Sequence, residues 1–294
     1  MKTPSKLKAK SPLSVEPSRP KFTIFGPSGV GKTWFSLSFP SVYYIDTEGG
    51  ASRAHYMQRL ESSGGKYLGV EDGSLDFETV IDQFKALASE EHGFKTVVVD
   101  SVTKLFNHAV SLEADRLGDK NAFGADKKAA IALMRRLIAA TNRLDMNVIF
   151  IAHERGEWGV DAKGDRCEVG RVEDCWDKLR YELDLAMQAT KQGASRVLVV
   201  KKTRLLGFPE ASRFPMEFSD FAERYGKDVI EKEVQVIELA SAEQVAEILR
   251  LVELLHIDKI TSDKWLEKAN AETFGEFNTQ QATKVIESLK SKIK

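Results

Sequence analysis

The chain has 294 residues, is 42% apolar and carries a formal net charge of −1 at pH 7. That length suits one large α/β domain with a small appendage, and the apolar share is ample for a core. The near-neutral balance excludes a globally basic nucleic-acid binder but leaves room for a local basic groove.

Residues 1–20 hold Lys2, Lys6, Lys8, Lys10 and Arg19 among prolines and serines, with almost no large apolar residues. This is the composition of a disordered basic tail, either a plain solvated leader or a nucleic-acid contact. The start, Met1-Lys2-Thr3-Pro4-Ser5-Lys6, lacks an apolar signal core, and no apolar run approaches ~18 residues. The expectation is a soluble, cytoplasmic protein with no membrane partner.

Phe22–Phe25 reads as a buried strand and runs into Gly26-Pro27-Ser28-Gly29-Val30-Gly31-Lys32-Thr33, which fills the pattern G-x-x-x-x-G-K-[ST]. Trp34–Phe39 follows as a first helix ending at Pro40. In that context glycines let backbone N–H groups crowd around phosphate oxygens, and the helix N-terminus adds partial positive charge. Lys32 is then expected at the β- and γ-phosphates and the Thr33 hydroxyl on Mg²⁺. ATP and Mg²⁺ are the expected cofactors.

Val42–Asp46 reads as a second strand, and Glu48 lies just past its end in Asp46-Thr47-Glu48-Gly49-Gly50. A carboxylate on that edge of an open α/β sheet can orient and deprotonate a water for in-line attack. A plain turn cap made by Asp46 and Glu48 is the alternative. Phe77, Val80, Ile81, Phe84 and Leu87 share one helical face. Thr96–Asp100 is a third strand, apolar until its last residue, and Asp100 is placed to hold Mg²⁺ through water. Lys120, Lys127 and Lys128 surround Asn121–Gly124 ahead of a helix carrying Arg135 and Arg136, either a basic contact or an exposed connection. Ala129–Leu144 reads as that helix and Asn147–Ala152 as a fourth strand. Continuous β-branched runs separated by helices predict a mostly parallel sheet covered on both faces.

The stretch from Glu154 through Arg171 is long and glycine-rich, and it reads as a functional loop. Trp158 suits base stacking, with Arg155, Lys163, Arg166 and Arg171 near phosphates. Glu154, Glu157, Asp161, Asp165 and Glu168 nearly cancel those charges. Cys167 and Cys175, without a nearby His or Cys pair, form neither a disulfide framework nor a zinc site and are expected as free thiols. Leu183–Ala189 and Arg196–Val200 extend the sheet as a closing pair around Gln192-Gly193. Beyond a linker at 226–240, Ser241-Ala242-Glu243-Gln244 is a capping-box start. Val245, Ile248, Leu249, Val252 and Leu255 share a face of the helix it opens. With Asp263–Ala269, Gln280–Ile293, Trp265 and Phe277, residues 241–294 form a small helical domain after an ATPase core at 21–225.

The glycine loop, Tyr44-Ile45-Asp46-Thr47-Glu48, Val98-Val99-Asp100-Ser101-Val102 and Val148-Ile149-Phe150-Ile151-Ala152-His153-Glu154 together resemble a RecA-type ATPase core. More narrowly they are similar to phage-encoded RecA-like single-strand annealing recombination proteins, the Sak-four group. The resemblance covers roughly residues 21–220. It implies that His153, where RecA itself has Gln, senses the γ-phosphate and passes its state to the adjoining DNA-binding segment. It implies that Lys202 and Arg204, in Lys201-Lys202-Thr203-Arg204, match the K-x-R finger that reaches a neighbouring subunit's ATP, with a register shifted to Lys201 and a solvated basic strand end as the alternatives. It further implies a ring or filament of identical chains on single-stranded DNA, in a bacterial host's cytoplasm if phage-encoded. A single-strand binding protein would be a further partner. The implied function is annealing or strand exchange in DNA recombination. A hexameric helicase or translocase, and a nucleotide-gated adaptor recruiting replication proteins, share the same core motifs.

Overall fold

The computed structural model describes residues 17–50, 53–161 and 163–293. In chain order the first half holds β1 (Lys21–Phe25), α1 (Lys32–Ser36), β2 (Val42–Asp46), α2 (Ala54–Ser62), β3 (Lys66–Leu68), α3 (Phe77–Ser89), β4 (Thr96–Asp100), α4 (Val102–Leu117), α5 (Ala125–Arg143) and β5 (Asn147–Ala152). The second half holds β6 (Glu154–Val160), β7 (Arg166–Glu173), α6 (Leu179–Glu182), β8 (Leu185–Gln192), β9 (Ser195–Thr203), β10 (Arg213–Pro215), α7 (Phe218–Tyr225) and α8 (Lys227–Glu231). Three helices close the chain, α9 (Ala242–Leu254), α10 (Lys259–Ala269) and α11 (Thr279–Lys290).

An eight-stranded sheet runs β10-β9-β8-β1-β5-β4-β2-β3. The strands β8, β1, β5, β4, β2 and β3 are parallel, and β9 and β10 close one edge antiparallel. The mostly parallel, helix-flanked sheet expected from the sequence is present, as is the C-terminal group of helices. β4 and β5 are buried along their whole length, as strands covered on both faces must be. Successive side chains leave a strand on opposite faces. Val97 and Val99 therefore join the core under α3, α4 and α5, while Val98 joins the opposite core with Phe35, Phe39, Leu60 and Phe221. In that second core Phe22 lies 5.0 Å from Phe221, ring centre to ring centre.

β3 and β10 carry three residues each, too few to show a strand period in sequence. No helix among the described residues is long and apolar enough to cross a membrane.

Residues 1–16 of the expected tail lie outside the described residues, but Arg19 is not a tail residue. Its side chain is fully buried. Its guanidinium donates to the carbonyls of Ile230 (3.0 Å) and Lys232 (2.6 Å) and faces Asp145 at 3.4 Å. A cation that satisfies two buried carbonyls stays in the fold however polar its neighbours are. The same bonds lay the expected linker onto the core. α8 buries Ile230 completely, and the Ile237 amide donates to the Ala88 carbonyl.

In the helical appendage Ser241 and Gln244 form the expected capping box. The buried face of α9 is rotated from its expected position, with Ile248 and Leu251 buried and Leu249 exposed. The partners that set this face, Phe277 and Ala282, arrive from distant sequence.

Replacing Arg19 with Met should cost roughly 2–3 kcal/mol, because two carbonyls lose charge-assisted bonds. Denaturant unfolding measures it, and a cost within ~0.5 kcal/mol, typical of a surface position, would show that Arg19 does not anchor the fold.

Candidate nucleotide site and the adjoining hairpin

The glycine loop leaves the C-terminal end of β1 with Gly26, Gly29 and Gly31 all at positive φ (148°, 69° and 103°). Gly26 is obligatory on two counts. Its conformation is one that side chains avoid, and a Cβ there would stand 2.4 Å from the Ala189 carbonyl oxygen on β8. The loop is thus pressed against its neighbouring strand. α1 begins at Lys32, so the amides of its first turn precede the helical ladder and are free for an anion.

Lys32 Nζ turns back to the carbonyls of Gly26 (2.8 Å) and Pro27 (3.0 Å). Burial lowers its pKa, against the opposing pull of Asp100, Glu48 and Glu154. The Thr33 hydroxyl donates to Asp100 Oδ2 at 2.6 Å, and the Tyr44 hydroxyl donates to the same oxygen at 3.1 Å. Burial pushes the Asp100 carboxyl up to about 6, with the Thr33 bond working against it. A hydroxyl and a carboxylate in contact are a donor set that suits a hard divalent cation shared with phosphate oxygens.

Glu48 Oε1 accepts from Ser101 Oγ at 2.6 Å and lies 2.5 Å from His153 Nε2. Burial acts to raise its pKa, but the bonds to Ser101 and His153 outweigh it and the net shift is downward. The acceptor of the turn is Asp46, whose Oδ1 takes the Glu48 amide at 3.0 Å. Asp46 is fully buried, whereas the Glu48 side chain is 36% exposed. The two carboxylates therefore divide the turn-capping and cavity-facing positions between them. Glu48, His153, Lys32, Thr33 and Asp100 all line one cavity of about 700 Å³. That is ample room for a nucleotide.

His153 is the last residue before β6. The segment expected as a loop is an antiparallel hairpin, β6 with β7, turning at Asp161, whose Oδ1 accepts from the amides of Lys163 (2.8 Å) and Asp165 (3.0 Å). The glycines that suggested a loop sit where cross-strand side chains crowd. A Cβ on Gly159 would meet Val169 at 2.8 Å and one on Gly156 would meet Glu168 at 3.0 Å. The hairpin base is clamped, for the Asp174 amide donates to the His153 carbonyl (2.9 Å) and the Thr103 hydroxyl donates to the Asp174 carbonyl (2.6 Å).

Residues 18–208 match the family model of an AAA domain. The chain belongs to the AAA-domain family. It is a P-loop ATPase. A solved RadB recombinase is 19% identical, over 66% of this chain and 84% of that one, with a TM-score of 0.39. A prototypical ATPase from the type III secretion system of pathogenic bacteria is 14% identical, over 94% and 81%, also at 0.39. No curated protein matches the chain.

Outside the cavity of this AAA domain, Trp158 is 57% exposed on the hairpin, with the Arg166 guanidinium 5.1 Å from its ring centre. Arg155 pairs with Asp177 and Arg171 with Glu168, while Lys163 stands exposed at the turn. Arg155, Trp158 and Arg166 share a cleft with Trp176, Arg180 and Tyr181, which sequence reasoning missed. Of the second basic group, Arg136 is paired with Glu78 and Glu272, so it is a structural cation.

Lys202 and Arg204 do not reach this cavity in their own chain. β8 is parallel to β1, and Leu185, at its start, pairs with Thr203 at the end of antiparallel β9. The K-x-R segment therefore lies at the sheet edge opposite the glycine loop. Lys202 bonds the Leu183 carbonyl and Arg204 the Tyr181 carbonyl. The other end of β9 does meet the loop. Arg196 has side-chain atoms 3.4–3.5 Å from where a Gly31 Cβ would stand, a neighbour no local sequence pattern announces.

Gly26→Ala should cost about 3 kcal/mol, from backbone overlap added to conformational strain. Gly29→Ala, with open space around its Cβ, should cost about 1 kcal/mol. Paired unfolding curves check this, and equal costs would mean that β8 does not hold the loop.

Proposed function

We propose that this ATPase binds single-stranded DNA through the β6–β7 hairpin and promotes annealing or strand exchange as an assembly of identical chains, gated by ATP. One observation carries the reading. One of the two side chains that contact Glu48 at the cavity belongs to His153, and the next residue along the chain opens the hairpin that presents Trp158. A change at the γ-phosphate end of the cavity passes from His153 straight into the hairpin, whose exposed Trp158 lies beside Arg166 and shares a cleft with Arg155, with Lys163 and Arg171 on the same hairpin. Exposed aromatics beside cations are how single strands are held without sequence preference.

In this reading the loop amides from Gly26 to Thr33 and the Lys32 ammonium bind the β- and γ-phosphates. Thr33 and Asp100 would hold Mg²⁺, which when bound neutralises charge on the phosphate oxygens. Glu48 orients a water and takes its proton as the oxygen attacks the γ-phosphorus. Ser101 and His153 fix the carboxylate so that one oxygen stays directed into the cavity. A triphosphate bound with the Glu48–His153 pair engaged favours one hairpin arrangement, and its hydrolysis releases it. Lys202 and Arg204 would serve a neighbouring copy's triphosphate.

The test is steady-state ATP hydrolysis with and without single-stranded DNA, beside Lys32→Ala as the blank. Stimulation by DNA is expected, and Trp158→Ala should weaken DNA binding by about 1–3 kcal/mol. Hydrolysis above the blank but indifferent to DNA would overturn the DNA reading, and processive unwinding of a forked duplex would replace annealing with translocation. Glu48→Gln should still bind ATP while turning over roughly 10²–10⁴-fold more slowly. Full turnover in that variant would refute Glu48 as the base.

A further inference from the structure

The nucleotide cavity has a wall that none of the loop motifs accounts for. Beyond Gly49 and Gly50 the chain enters α2, and Arg53, His55 and Tyr56 line the same cavity as Lys32, Thr33, Asp100, Glu48 and His153. Arg53 is the N-cap residue of α2, with its amide bonded to the Gly50 carbonyl at 3.0 Å and its side chain exposed. No hydrogen bond or ion pair within the protein engages its guanidinium among the described residues. Several other cations near functional segments are engaged, while Arg196 beside Gly31 and Lys163 at the hairpin turn are not among the cavity's lining residues. Lys32 bonds Gly26 and Pro27, Lys202 bonds Leu183, Arg204 bonds Tyr181, and Arg155 and Arg171 are ion-paired.

The charge count of the cavity gives that free cation a task. Its lining carboxylates are Glu48, Asp100 and Glu154, and its permanent cations are Lys32 and Arg53. A triphosphate adds several negative charges to a lining that is already net acidic. Lys32 sits at the loop, and Arg53 lines the same cavity on the stretch of chain that follows Glu48. A guanidinium there offers a planar fork that matches two phosphoryl oxygens.

We propose that Arg53 is a catalytic residue of the ATPase, an in-chain cation that bonds the γ-phosphate and stabilises charge on it during transfer. The proposal rests on the reading of this cavity as the ATP site. As the water oxygen bonds to the γ-phosphorus, the bond from that phosphorus to the β,γ-bridging oxygen breaks. The water proton passes to Glu48, and ADP and inorganic phosphate leave. Arg53 holds the non-bridging oxygens throughout and gives up no proton. Each chain then carries its own arginine for the reaction, and turnover does not wait for a neighbour's Lys202 or Arg204.

The experiment compares wild type, Arg53→Ala and Arg53→Lys in the full chain, with ATP and ADP affinities, kcat and thermal midpoint all read. Arg53→Ala should lose roughly 10²–10³-fold in kcat, the usual loss when one charge-stabilising donor is removed. It should bind ATP more weakly yet bind ADP as wild type does, because the missing contact is to the γ-phosphate alone. Arg53→Lys should recover part of kcat, and the thermal midpoint should not move. Wild-type turnover per chain should also persist on dilution to the monomer. Wild-type kcat in Arg53→Ala, or an equal loss of ATP and ADP affinity, would overturn the inference while leaving the ATP site in place. Failure of the wild-type chain to bind ATP at all would instead overturn the site reading beneath it.

Discussion

Thr47 and Ser101 hold the ends of two neighbouring strands in a reciprocal clasp on which the rest of the site depends. The Thr47 amide donates to the Asp100 carbonyl (2.8 Å), the Ser101 amide donates to Thr47 Oγ1 (2.7 Å), and that hydroxyl donates to the Ser101 carbonyl (3.1 Å). Both residues are fully buried. Parallel strands leave their last peptide groups without ladder partners, and a buried unpaired group costs about 1–3 kcal/mol. The clasp satisfies those groups and in doing so fixes the spacing between Glu48, next to Thr47, and Asp100, next to Ser101. Ser101 then reaches Glu48, and Thr103 takes the His153 amide at 2.9 Å. Three strand ends, those of β2, β4 and β5, are thereby tied into one polar surface facing the glycine loop.

The electrostatics of that surface set its carboxylates apart. Asp100 is buried beside Glu48 and Asp46, and both desolvation and like charge raise its pKa. Glu48 is partly exposed, and its bonds to Ser101 and His153 lower its pKa. The buried group is the one that gains most from a nearby divalent charge. Burial and hydrogen bonding, acting over a few ångströms, shift two acids in opposite directions without changing the residue class.

The parallel sheet was legible because β1, β2, β4 and β5 are buried on both faces, so their apolar runs are unbroken. The glycine loop was legible because its geometry demands glycine at fixed offsets. Glu48, Asp100 and His153 were legible as strand-end residues, since parallel strands deliver their last residues to one edge. Their mutual bonding was not, because Glu48 and His153 meet across 105 residues of chain. The hairpin was hidden by its glycines, which serve cross-strand packing. Arg19 was hidden because its partners, Ile230 and Lys232, lie more than 200 residues away. Arg19 and the Glu48–His153 contact were hidden by partners remote in sequence, whereas the hairpin was hidden by glycines that imitate a loop.

The sheet register also constrains assembly. The K-x-R end of β9 and the glycine loop occupy opposite edges of the sheet, so a single chain cannot bring them together without breaking the β8–β9 and β1–β8 ladders. If Lys202 or Arg204 serves a triphosphate, one copy must set its lower edge against the upper edge of the next. That contact joins two different surfaces, and repeating it generates a ring or an open filament. A two-fold dimer joins like with like and would set the two K-x-R ends against each other or leave both away from the cavities. The antiparallel turn from β8 to β9 thus dictates which symmetries could complete the site from outside, and it leaves in-chain cations as the route open to an isolated chain.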